Sequence, residues 1–98
     1  MIFYVPDVNL MEELGFTYSR TAHEWYVCYP LDRYITLNIS GVPLHEAKVE
    51  VIDETFLQPF DYEYYLERNP KFSFGLQVKK AVNRKLAELK DQGVLRDE

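Results

Sequence analysis

Between Phe16 and Asp53 apolar residues recur at every second position, and this period limits the chain to architectures built on a sheet. Four segments carry it, "GFTYS", "HEWYVCY", "RYITLNIS" and "AKVEVID", separated by turn-like pieces. In the third, Ile35, Leu37 and Ile39 face one way while Thr36, Asn38 and Ser40 face the other, which is the pattern of a strand buried on one side only. "PLDR" is short enough for a hairpin, and "SGVPLHE" reads as a longer turn with Gly41 and Pro43. The expectation is an antiparallel meander of three to four strands with one apolar face that needs a cover.

The flanking sequence supplies it. Ile2 to Val5 reads as a short strand, followed by a brief helix in "PDVNLMEELGF", with Asp7 as its cap and Gly15 as its left-handed stop. After the meander, Pro59 suits the first turn of a helix reaching Arg68, and Asn69-Pro70 separates it from a longer one over Phe72 to Gln92. Gly93 stops that second helix and lets Val94 and Leu95 fold back on it. The fold class is therefore α+β: a short N-terminal helix, the meander, and two C-terminal helices packed on one face. A chain of 98 residues fits one domain, 1–98, whose folding hides roughly 65% of its unfolded surface.

Composition narrows the function classes. Hydrophobic residues at 47% and charged residues at 28% argue against disorder. Cys28 is the single cysteine, so no intramolecular disulfide is possible. The opening "MIFYVPDV" shows no basic leader and only five apolar residues before Pro6, so the default expectation is a cytoplasmic protein with no membrane partner. Charge is unevenly spread. From Met1 to Pro70 twelve acids face four bases, net −8, whereas from Lys71 to Glu98 seven bases face four acids, net +3.

The densest signal is aromatic, with Phe56, Phe60, Tyr62, Tyr64 and Tyr65 all within ten positions. At 100° per residue Phe60 and Tyr64 lie within about 40° of each other, while Tyr62, Tyr65 and Leu66 occupy the opposite arc. One sheet buries only one of those faces. The surplus predicts a protein interface at Tyr62, Tyr65 and Leu66, belonging to a non-enzymatic binding module that self-associates, most simply as a homodimer. The competing arrangement is a compact three-layer packing in which only the tyrosine hydroxyls reach water.

Two other chemistries are weaker. Lys79, Lys80, Arg84 and Lys90 form a basic face on the last helix that could follow a nucleic-acid backbone. The acidic body, the lack of a recognition motif, and Glu88 and Asp91 on the same helix make it read first as a solvated face. A small enzymatic site around His23, His45 or Cys28 is the third reading. No metal-ligand spacing, serine elbow or glycine-rich phosphate loop accompanies them, so neither metal nor cofactor is expected. Cys28 shares its side of the strand with Tyr26 and is expected to behave as a small buried hydrophobe. Whether Glu50, Asp53, Glu54 and Asp61 converge is left open by the sequence.

Overall fold

A computed structural model describes residues 2–3, 8–42 and 48–96. The elements, in chain order, are β1 (Ile2–Phe3), α1 (Val8–Glu13), β2 (Thr17–Ser19), β3 (Glu24–Pro30), β4 (Ile35–Val42), β5 (Lys48–Asp53), β6 (Gln58–Pro59), α2 (Tyr62–Arg68), α3 (Ser73–Asp91) and β7 (Leu95–Arg96). Strands β2 to β6 form one antiparallel sheet in chain order, and β1 pairs with β7 in a separate two-stranded ribbon. The architecture is α+β, with a short N-terminal helix and C-terminal helices as expected. Asp7, Pro43 and His45 fall outside the described residues.

The strand count differs from the expected three to four: the meander has five. The fifth is β6, where Pro59 lies opposite Ile52 and the N–H of Phe60 donates to the carbonyl of Val51 over 2.8 Å. Proline is tolerated on an edge strand because no ladder N–H is missed there. Helix α2 consequently begins not at Pro59 but at Tyr62, after Asp61, whose carboxylate accepts the N–H of Tyr64 at 3.1 Å.

Both α1 and α3 end in the same way. Gly15 N–H donates to Glu12 and Phe16 N–H to Met11, while Gly93 N–H donates to Lys90 and Val94 N–H to Leu89. The two glycines carry φ of 91° and 81°, and each is followed by a buried apolar residue, Phe16 or Val94. These stops fold the chain back toward the core.

The inner face of the sheet is the face that α3 covers. Val27 on β3, Ile35, Leu37 and Ile39 on β4, and Val51 on β5 pack with Val78, Val82 and Leu89 of α3 and with Met11 of α1. Between Val27 and Trp25 the ladder slips: Val27 opposes Ile39, but Trp25 opposes Val42, so one residue of β3 faces two of β4. Gly41 takes the extra position with φ of 80°, forming a bulge that returns Val42 to the inner face, where it is fully buried. Tyr29 joins three elements. Its hydroxyl donates to the Leu14 carbonyl over 2.8 Å, its ring meets Phe16 edge-on, and Lys85 Nζ lies 4.1 Å from the ring centre.

The outer face is a different environment. Cys28 pairs across the ladder with Asn38 and is exposed, as is Tyr26. The expectation that Cys28 is buried is thus corrected: its grouping with Tyr26 holds, but their shared face is the one no helix covers.

Candidate functional site

Helix α2 is seven residues long and buries none of them. So short a helix does not persist on propensity alone. It is held by the Asp61 cap, by the Asn69 N–H donating to the Tyr65 carbonyl, and by close approach to α3. That approach depends on Gly75, where a Cβ would lie 2.9 Å from Phe72 and 3.2 Å from Leu66.

The rings around α2 form one connected network. Phe60 stacks on Tyr65 with centroids 5.6 Å apart, Tyr65 meets Tyr64 at 5.5 Å and Phe72 at 6.1 Å, and Phe74 touches both Phe60 and Phe72. Arg68 lies 4.1 Å over the ring of Tyr64. Tyr64 and Tyr65 remain 46% and 47% exposed, so the network is a ledge with one wet side.

The three residues expected at an interface occupy different positions on this ledge. Tyr65 is on it. Tyr62 is half-buried against the core, and Leu66 is partly buried facing Gly75. Burial raises the pKa of the Tyr62 hydroxyl, and the neighbouring charges of Glu63 and Asp61 add to the effect. Tyr64 takes the outward place instead.

Two more outward residues were not among those expected at the interface, although Phe56 belongs to the aromatic cluster. Phe56 and Leu57, 71% and 78% exposed, sit in the turn between β5 and β6, and Leu57 has φ of 52°, a conformation that bulky side chains rarely adopt. Their signal was an apolar pair inside the polar-flanked "ETFLQ", a turn with no core to fill. Leu57 is three residues from Phe60, so it lies within about 10 Å of the ledge by chain reach.

Helix α3 is flanked by a cleft on each side. On one side Lys80 and Arg84 of the expected basic face join Lys85, Pro30 and Leu31 around about 380 Å³, while exposed Lys79 and Lys90 lie outside that lining. Lys85 is engaged by Glu88 at 3.2 Å. On the other side Glu50, Asp61 and Glu63 are among the residues lining a cleft of about 550 Å³ between β5, α2 and α3. Asp53 and Glu54 are not part of it: Asp53 accepts the Thr55 N–H, and Glu54 accepts the Thr36 hydroxyl at 2.7 Å.

His23 is exposed in the turn before β3 with φ of 55°, and Cys28 follows five residues later, roughly 16 Å along an extended strand. Among the described residues no group of three or more His, Cys, Asp or Glu side chains could hold a metal ion, and no helix is long and apolar enough to cross a membrane. Compared with known proteins, the chain matches no family model, no curated protein and no solved structure.

Proposed function

We propose that this protein is a non-enzymatic binding module that recognises another protein, in the first instance a second copy of itself, through the aromatic ledge of α2 and the adjoining β5–β6 turn. The observation that carries the reading is a connected five-ring network whose outward rings, Tyr64 and Tyr65, stand on a helix with no fully buried residue. A helix kept for the core would turn its rings inward, whereas α2 holds Tyr64 and Tyr65 half in water. Tyrosine and phenylalanine dominate the centres of protein interfaces because they supply large contact area with few torsions to freeze. With Phe56 and Leu57 included, the exposed apolar surface is on the order of 500 Å². That is more than half of the roughly 800 Å² that a standard interface buries on each partner. The module acts in the cytoplasm, where its one cysteine stays reduced.

Light scattering across a wide concentration range tests the reading. The mass of the native chain is expected to rise above 11.7 kDa with concentration, and Tyr64→Ser with Tyr65→Ser to hold it at the monomer value with the fold intact by circular dichroism. A native chain that stays monomeric throughout would remove self-association.

The basic cleft favours a second reading, nucleic-acid binding. Lys80 and Arg84, one helical turn apart, have no ion-pair partner among the described residues. Affinity for DNA or RNA that falls steeply with salt and vanishes in Lys80→Glu with Arg84→Glu would support it; salt-insensitive or absent binding would discard it.

A further inference from the structure

We infer that the cleft between β5, α2 and α3 is a binding site for a small cation on a hydrocarbon stem, an alkyl or arylalkyl amine. Its volume, about 550 Å³, falls within the range of small-molecule sites. Val51, Val82 and Leu86 give it an apolar floor, and Leu37 beneath them has no exposed surface at all. A hydrocarbon chain laid on that floor leaves water at little polar cost.

Charge then selects the head group. Glu50, Asp61 and Glu63 line the cleft, and among the described residues no basic side chain does. Two of the three have structural duties: Glu50 pairs with Lys48 at 3.0 Å, and one oxygen of Asp61 caps α2. Each retains a second oxygen able to accept from an ammonium. Glu63 has no hydrogen bond or ion pair among the described residues, so its whole carboxylate is available. The Tyr62 hydroxyl adds a neutral hydrogen-bonding group to the wall. The opposite flank of α3 is an internal contrast: there Lys80 and Arg84 line the opening beside the Lys85–Glu88 pair, and an anion is the better matching guest.

Methyl NMR on the full chain, titrated with n-hexylamine, n-hexanol and hexanoate, tests the assignment. Hexylamine is expected to shift the Val51, Val82 and Leu86 methyls saturably, with affinity at least tenfold above that of hexanoate. Octylamine should bind roughly tenfold tighter again, since each added methylene on the floor is worth about threefold to fourfold. Asp61→Asn with Glu63→Gln keeps the cap and the shape while removing two charges, and should bring hexylamine within about twofold of hexanol. Hexanoate binding as tightly as the amine, or no methyl movement up to about 20 mM, would overturn the assignment. So would amine-induced shifts confined to Leu31 and Ala81 on the basic side. Phe60 lines the cleft and also stacks on Tyr65, so the control lies on the other flank of α3, where Lys80→Ser with Arg84→Ser should leave amine binding unchanged.

Discussion

Helices α2 and α3 are separated by only four residues, yet the fold uses them in opposite ways. Helix α3 runs for nineteen residues and buries Gly75, Val78, Val82 and Leu89; α2 runs for seven and buries nothing. Most helical stability in proteins comes from the packing of an apolar stripe, and only α3 has one. The lesson is that α3 completes the core, while α2 depends on α3 for its position and has its side chains left over for other work.

That contrast fails if the two helices prove equally expendable. Leu89 is 1% exposed, so Leu89→Ala is expected to cost about 3 kcal/mol in urea unfolding, a large fraction of the stability of a small domain. A cost below about 1 kcal/mol would remove α3 from its central role.

Alkali probes the α3 side next. Partial burial, and secondarily the charge of Glu88, push the Tyr29 hydroxyl up to about 12 from its ordinary 10.0. A group with a raised folded pKa contributes stability that is complete below the unfolded value and is lost as pH climbs through the folded one. Between pH 10 and about pH 12 the native chain should therefore lose stability that Tyr29→Phe does not. Because Tyr29 is only partly buried, solvent screening reduces the full two-unit value to about 1–2 kcal/mol. Parallel pH profiles for the two proteins would sink this account.

The smallest effect belongs to α2. Asp61→Ala should cost about 1 kcal/mol and speed amide exchange in α2 while leaving the amides of α3 protected, and Asp61→Asn should do neither. Matched loss of protection in both helices would mean that they unfold as one unit.

Much of this fold is readable from the residues themselves. Strands β3, β4 and β5 are long enough to display a period of two, α3 carries an unbroken apolar arc, and Gly15 and Gly93 mark the stops of α1 and α3. Strand β6 is not readable, because two residues cannot show a period and Pro59 suits a helix start as well as a sheet edge. The aromatic site was half readable. The wheel groups Tyr65 with Tyr62 and Leu66, and Phe60 with Tyr64, whereas Tyr65 stands outward beside Tyr64 and stacks on Phe60; which side chains meet the body is decided by the docking of α3 and by the missing Cβ of Gly75. Leu66 was drawn inward by that contact, and Tyr64 was left outside with Arg68. For Cys28 the alternation gives the face; only the position of α3 decides which face is dry.

The bulge at Gly41 has a consequence for anyone shortening, grafting or recombining β4. Residues 35–39 and residue 42 follow different counting frames, odd positions inward before the glycine and even after it. A residue at position 41 that cannot hold the glycine's positive φ would favour a regular ladder, in which position 41 takes Val42's place opposite Trp25 and Val42 swings out to solvent, so the glycine has to travel with whichever half of the strand is moved.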